Sequence, residues 1–324
     1  MSGAPLAGVP VMVLAAGLGT RLRPLTDELP KPAVPVANRS LVAFTLDHVA
    51  RNGGRRVVMN SHHLADRLEE AARASAGPEL ALDVLREEPL LGTGGGVRNA
   101  RDLLFADGGG EVVVLNADIL FAPDLAGALA THRRLGAVAT MVVRPDPDAV
   151  RYGAVEVDAS SRVRRLLGAP AGDHGALRMF MFTGVHVLSR AAFDDLPEQG
   201  CVVRHAYRRW VDEGAVVAAH ADESPWRDLG TIPAYLEANL DLASGRLRWP
   251  GVAAAPDGNL VEPTATIGEG ATLRGVVIGD HAIVDPHVTL ERCVLWPHAR
   301  ASAPAADTVL TTGPGPVVST DLAH

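Results

Sequence analysis

A short apolar run at residues 9–15 feeds directly into Gly17-Leu18-Gly19-Thr20-Arg21, and Pro30-Lys31-Pro32 follows ten residues after Arg21. Glycines at the exit of a strand let backbone N–H groups approach phosphate oxygens, because no Cβ stands in the way. Gly17, Gly19 and Thr20 are therefore the expected phosphate-binding positions of this loop. Arg21 can fork onto terminal phosphates, and a returning loop would bring Lys31 to the same charge. Lys31 is the single lysine among 30 basic residues. A compact ammonium is a point charge that packs against a phosphate cluster, where a guanidinium is a broad planar fork. Two other phosphate motifs are excluded. A Walker loop requires Lys and then Ser or Thr after its last glycine, and here Arg21 follows Thr20. A dinucleotide fingerprint requires Gly or Ala three positions after Gly19, where Leu22 stands.

These residues need a scaffold, and the first two thirds of the chain describe one. Residues 9–15, 56–60, 80–85, 112–115 and 137–143 are short and rich in Val, Leu and Ala, and read as buried strands. Between them, residues 41–52, 64–74, 95–104 and 125–135 carry apolar side chains at helical spacing. This alternation predicts an α/β fold with a Rossmann-like, mostly parallel sheet covered on both faces. Ligands of such folds sit beyond the carboxyl ends of the strands. Asp118, just past the run 112–115, falls at such an end. A strand-end aspartate can be a turn former, a helix cap or a metal ligand.

Beyond about residue 250 the texture changes. Aliphatic residues recur at 261, 267, 273, 278, 284, 290 and 295, in steps of six, six and five, each followed by small and polar residues. That period marks a three-sided parallel β-helix with its aliphatics stacked at the corners. The expected organisation is an α/β domain over 1–250, a β-helix over 258–312 and a disordered tail over 313–324.

The run at residues 17–32 resembles the signature of the nucleotidylyltransferases that make nucleotide sugars: Gly-X-Gly-Thr-Arg-X-X-Pro-X-Thr, then Pro-Lys-Pro. The resemblance extends to Asn116-Ala117-Asp118, to Trp226-Arg227-Asp228-Leu229-Gly230-Thr231 and to the repeats, for which it implies a left-handed coil. It is strongest toward mannose-1-phosphate guanylyltransferases and their relatives. The resemblance implies catalytic roles for Arg21 and Lys31, and Mg²⁺ held by Asp118 and Asp228, a donor set that suits a hard cation sharing phosphate oxygens. It also implies a nucleobase lying against Glu87-Glu88-Pro89-Leu90-Leu91-Gly92-Thr93-Gly94. Leu14, Ala16, Gly17, Gly19 and Thr20 of the first loop and Glu88, Gly92, Thr93 and Gly94 of this one are carried over as nucleotide-binding, Glu87 being the alternative acceptor for a purine's N–H groups. On the sugar side it implies Tyr152, Gly153, Arg165 and Thr183. The family's usual Glu-Lys and Asn-Ala-Gly are absent, the corresponding stretches reading Arg164-Arg165-Leu166-Leu167-Gly168 and Phe182-Thr183-Gly184.

The implied reaction joins a nucleoside triphosphate to a sugar-1-phosphate and releases pyrophosphate. GTP with mannose-1-phosphate is the first pair to expect; glucose-, heptose- or N-acetylmuramate-1-phosphate with another triphosphate are the alternatives. A non-catalytic, nucleotide-sugar-binding regulatory subunit is a further reading, although such subunits lose a signature cation or aspartate and this chain keeps all four. An acyltransferase role for the repeats needs more coils than three, so a structural or homo-oligomerising role is expected. A net charge of −8 argues against nucleic acid as a partner. No run of about twenty apolar residues predicts a membrane span. Residues 9–16 lack a preceding basic residue, so they read as a strand rather than a secretory leader, and a cytoplasmic setting is expected. Cys201 and Cys293 make neither a disulfide framework nor a zinc site.

Overall fold

Val- and Leu-rich runs form strands where each side chain can be buried on a pleated surface, and the computed structural model places nine of them in one sheet. It describes residues 4–172, 175–313, 315 and 317–318, with no side-chain description at 151, 152, 317 and 318. Contacts divide the chain into two compact units that do not follow chain order. One comprises Met1–Gly17, Thr45–Ala117 and Phe121–Trp226; the other comprises Leu18–Phe44, Asp118–Leu120 and Arg227–His324.

In the first unit, Val11–Leu14 lies between Arg56–Ser61 and Glu111–Asn116, parallel to both, and Arg56–Ser61 continues in parallel to Ala81–Arg86. The parallel expectation holds across this half. The long strand Arg178–Ser189 runs antiparallel to Glu111–Asn116 and to Ala139–Arg144, and Val217–Ala221 then pairs in parallel with Ala139–Arg144. Val155–Val157 and Val163–Leu166 extend the far edge as antiparallel strands. Ala65–Ser75 and Leu125–Leu135 are helices of this unit; Asp124 caps the latter by accepting from Gly127 N–H at 2.9 Å, and Gly136 ends it at φ 56°. Met12, Val58, Val114, Met141, Leu188, Phe193, Tyr207 and Trp210 belong to one buried cluster. Each such side chain withdrawn from water contributes about 1.5–3 kcal/mol. His186 lies wholly inside, its Nδ1 2.7 Å from Tyr207 Oη. Burial lowers its pKa to about 3, so it is neutral at physiological pH.

The second unit is built on the helix Ile232–Ser244. Thr231 caps its start, accepting from Ala234 N–H at 3.4 Å, and Gly245 ends it at φ 76°. Stacked parallel β-coils follow. Val261 pairs in register with Ile278, Ile278 with Leu295, and Leu295 with Leu310; Ile267, Val284 and Ala301 form a second column, and Leu273, Leu290 and Ala305 a third. These columns contain the aliphatic positions whose phase the repeat displays. The first coil ends the stack with Ile267 39% exposed, whereas Val284 and Ala301 behind it are buried. Of the stretch 313–324, Val317–Val318 pairs antiparallel with Ala305–Leu310; residues 314, 316 and 319–324 lie outside the described residues. No helix among the described residues is long and apolar enough to cross a membrane.

Candidate active site

The loop after Val11–Leu14 turns at Gly19, in the left-handed region at φ 62°, and opens a short 3₁₀ turn, Thr20–Leu22. A Cβ on Gly19 would stand 2.9 Å from Thr26 Cγ2 and 3.2 Å from Lys31 Cβ, so glycine is required by backbone angle and by space. Thr26 Oγ1 donates to Gly19 O at 2.9 Å and pins the turn. Pro30-Lys31-Pro32 then makes a second 3₁₀ turn, closed by Ala33 N–H donating to Pro30 O at 2.7 Å. Lys31 is thereby set on a rigid bend.

That bend delivers the ammonium between two carboxylates. Lys31 Nζ lies 3.1 Å from Asp118 Oδ2 and 3.1 Å from Asp228 Oδ1, with the lysine side chain 5% exposed. Asp228 Oδ2 also accepts from Arg21 Nη2 at 3.3 Å, with Arg21 two-thirds exposed. Asp118 precedes the short strand Ile119–Phe121, and Asp228 ends Trp226–Asp228; these two strands pair. Gly230 explains the glycine of the Asp-X-Gly turn: a Cβ there would stand 2.6 Å from Arg21 Nη2 and 2.9 Å from Asp228 Oδ1. The structure thus brings Arg21, Lys31, Asp118 and Asp228 into one cluster, all within the second unit. Two carboxylates converging on one cation offer hard oxygen donors of the kind a divalent ion takes alongside phosphate oxygens. Among the described residues no group of three or more His, Cys, Asp or Glu is placed to hold a metal ion.

The first unit carries a second polar network. Asn60 Oδ1 accepts from Ala15 N–H at 2.7 Å, and Asn60 Nδ2 donates to Glu87 Oε1 at 2.7 Å. Glu87 Oε2 accepts from Leu91 N–H at 2.9 Å. Glu87 is buried and Glu88 exposed. The glycine run that follows is helical, Gly92–Asn99, and packs closely on residues 197–200. A Cβ on Gly95 would stand 2.4 Å from Glu198 O, and one on Gly94 2.6 Å from Pro197 Cγ. Gly94 N–H donates to Gly200 O at 2.8 Å, and Thr93 Oγ1 accepts from Val202 N–H at 3.0 Å. Leu14 ends its strand in register with Asn116, and Ala16 is buried beside it in sequence. At Gly17, by contrast, a Cβ would meet nothing within 4 Å among the described residues. Asn60 was not among the expected site residues; its one sequence signal is a polar side chain ending an apolar strand.

Of the residues expected to meet the sugar, Gly153 follows Ala149–Tyr152 at φ 88°, where a Cβ would stand 2.6 Å from Leu167 Cδ2. The Tyr152 side chain lies outside the described residues. Arg165 pairs with Glu156 at 3.3 Å and donates to Gly168 O at 3.4 Å, leaving a buried Nε–H without a partner. Thr183 is buried, its hydroxyl donating to Val142 O at 2.7 Å, and Trp226 Nε1 donates to Thr183 O at 3.1 Å.

Residues 10–245 match the family described as Nucleotidyl transferase. Among curated relatives, a mannose-1-phosphate guanylyltransferase of Mycobacterium tuberculosis is 30% identical over 91% of this chain and 82% of its own length. An N-acetylmuramate alpha-1-phosphate uridylyltransferase of Caulobacter vibrioides is 31% identical over 72% of this chain and 96% of its own. Among solved structures, HddC from Yersinia pseudotuberculosis complexed with GMP-PN superposes with a TM-score of 0.57 at 21% identity. That match covers 71% of this chain and 98% of HddC, and it establishes likeness of fold.

Proposed function

The chain belongs to the nucleotidyl transferase family, in its sugar-1-phosphate branch, and from that premise we propose that it condenses GTP with mannose-1-phosphate to give GDP-mannose and pyrophosphate. The guanylyltransferase relatives from Mycobacterium tuberculosis and Arabidopsis thaliana support this pair. The uridylyltransferase relatives make glucose-1-phosphate and N-acetylmuramate-1-phosphate with UTP the pairs to compare against it.

One observation carries the chemistry. The chain's single lysine is buried, and it is held 3.1 Å from each of two aspartates. Burying an ammonium costs several kcal/mol unless it is well paired, so this position is built for charge. A phosphate oxygen of the sugar-1-phosphate attacks the α-phosphorus of the triphosphate, forming the new P–O bond. The bond from α-phosphorus to the bridging oxygen breaks, and pyrophosphate leaves with the electron pair. The attacking phosphate is largely dianionic at neutral pH, so no general base is needed. Lys31 and Arg21 bind the phosphates and offset the charge gathering on the leaving group. Asp118 and Asp228 are the residues that would hold Mg²⁺, which when bound supplies charge neutralisation at the phosphates. Gly17, Gly19 and Thr20 present backbone to the triphosphate. Glu87 and Glu88, with Gly92, Thr93 and Gly94, shape the base side, and Gly153, Arg165 and Thr183 the sugar side.

The test is pyrophosphate release, with Mg²⁺ present, from each of four triphosphates against a panel of sugar-1-phosphates. GTP with mannose-1-phosphate is expected to exceed every other pair. Turnover with a different pair would overturn the substrate assignment, and no turnover with any pair would overturn the reaction.

A further inference from the structure

The segment that carries Lys31 is fastened on both sides by the C-terminal part of the same compact unit. Ahead of the lysine, Glu28 ends the helical turn Leu25–Glu28. Its carboxylate accepts from Thr311 Oγ1, and its Oε2 from Thr312 Oγ1 at 3.2 Å. Both threonines directly follow Ala305–Leu310, the last parallel strand of the coils. The Thr311 hydroxyl in turn accepts from Gly313 N–H at 3.1 Å, which leaves its one proton for the carboxylate. The fit is close: a Cβ on Gly313 would stand 2.6 Å from Glu28 Oε1.

Behind the lysine, Pro35–Val36 and Arg39–Ser40 form a tight hairpin through Ala37 and Asn38, which turn at φ 44° and 62°. Every turn residue ahead of Arg39 is tied down. Ala37 N–H donates to Asn239 Oδ1 at 2.8 Å, and Asn38 Nδ2 donates to Ile278 O of the coils at 3.0 Å. Pro35 O accepts from Tyr235 Oη, and that hydroxyl accepts from Trp296 Nε1 at 2.9 Å. Burial pushes the Tyr235 hydroxyl well above its ordinary pKa, so it stays a donor throughout the working pH range.

We propose that the coils are a positioning device for the phosphate loop, with Glu28, Thr311 and Thr312 as its latch and Asn38 as its second anchor. This rests on the reading of Lys31 given above. A lysine that must meet developing charge within a fraction of an ångström needs a backbone that does not drift, and a stack of paired parallel strands is a stiff surface against which to hold it. Glu28 and Asn38 act through Lys31 and are positioning residues.

The test uses the full chain carrying Thr311→Val with Thr312→Val, and separately Thr311→Ser with Thr312→Ser. Amide hydrogen exchange over residues 24–34 is read alongside kcat and KM for pyrophosphate release, with the unsubstituted chain as reference. The valine pair is expected to raise exchange in 24–34 several-fold and to lower kcat by about tenfold with little change in KM for the sugar phosphate. The serine pair keeps both hydroxyls and is expected to behave as the reference does. Should the valine pair fold poorly, Asn38→Gly keeps the positive φ while removing the bond to Ile278, and it is expected to give the same pair of changes. Unchanged exchange over 24–34 in either variant overturns the proposal, as does raised exchange with undiminished kcat. A change in sedimentation without a change in exchange would mean that the coils serve assembly instead, and also overturns it. An unsubstituted chain inactive with every substrate pair would refute the reaction instead, and the exchange measurement would still decide whether the latch holds the loop.

Discussion

Two glycine-bearing segments, residues 17–19 and 92–96, use glycine differently. In the first, a side chain on Gly17 would meet nothing within 4 Å among the described residues, and Gly19 supplies a left-handed turn. It is open at Gly17 and closely packed at Gly19, where a Cβ would meet Thr26 and Lys31. In the second, side chains on Gly94, Gly95 and Gly96 would collide with Pro197, Glu198 and the Asn60–Glu87 pair, and the Gly94 N–H is already bonded to Gly200 O. Its backbone is closed by packing. The proposed phosphate loop has room at Gly17, whereas the second segment holds a helix against its neighbour. Glycine content alone does not distinguish these uses; the distance to the nearest partner does.

The first segment should answer to changes in chemistry and the second to changes in volume. The largest effect is expected at Lys31. Lys31→Ala removes the buried charge between Asp118 and Asp228, and should lower kcat by about 10³-fold or more, equivalent to about 4 kcal/mol. Circular dichroism should remain that of the unsubstituted chain. Near-normal turnover in steady-state pyrophosphate release would break the first half of the comparison.

Asn60 ties the roots of both segments together, accepting from Ala15 N–H and donating to Glu87. Asn60→Ala strips the buried Ala15 N–H and the Glu87 Oε1 of these bonds, Glu87 keeping Leu91 N–H on its other oxygen, at a cost of about 1–3 kcal/mol for each group so stranded. The expected outcome is a loss of about 3 kcal/mol in urea unfolding together with a raised KM for the triphosphate. A variant with unchanged stability would show that the two segments are independent.

Gly95→Ala separates propensity from packing. Alanine in a helix interior gains about 1 kcal/mol over glycine. Here its methyl would lie 2.4 Å from Glu198 O and 2.9 Å from Leu91 Cβ, and forcing that overlap costs about 1–3 kcal/mol or more because one partner is backbone. Packing wins, and a net loss of about 2 kcal/mol is expected, read as a fall of about 4 °C in Tm. A rise in Tm would mean that the second segment is not closed by packing.

The strands that run parallel were legible because each is a short apolar run between helices: 56–60 and 112–115 lie within the observed Arg56–Ser61 and Glu111–Asn116. The coil corners were legible because their columns repeat in phase. The strand Arg178–Ser189 was not. It contains Gly184 at φ 88°, its register shifts between Phe182 and His186, and it pairs antiparallel, so neither uniform alternation nor the parallel pattern marks it. The members of the Arg21–Lys31–Asp118–Asp228 cluster were legible one by one, through the resemblance, but its geometry was not. Lys31 meets Asp118 and Asp228 across separations of 87 and 197 residues, and nothing local encodes such a meeting. The packing of Gly92–Asn99 was hidden for the same reason, its partners at 197–200 lying far along the chain. Glu28 offered no signal at all, since an acidic residue in a short helical turn is ordinary.

The smallest change in stability belongs to Gly17, and it tests the comparison most sharply. Its backbone angle is not in the left-handed region and no described atom stands near the added methyl, so Gly17→Ala should change unfolding free energy by less than about 0.5 kcal/mol. Propensity in a loop even favours alanine slightly, through the entropy of the unfolded chain. In the proposed site the same methyl would stand where a phosphate approaches the backbone, and KM for the triphosphate should rise about tenfold, equivalent to about 1.4 kcal/mol. A stability-neutral substitution that weakens nucleotide binding is what an open loop requires. If instead Gly17→Ala lowers stability while leaving KM alone, then this glycine too is there for packing, and the two segments differ only in which neighbours they meet.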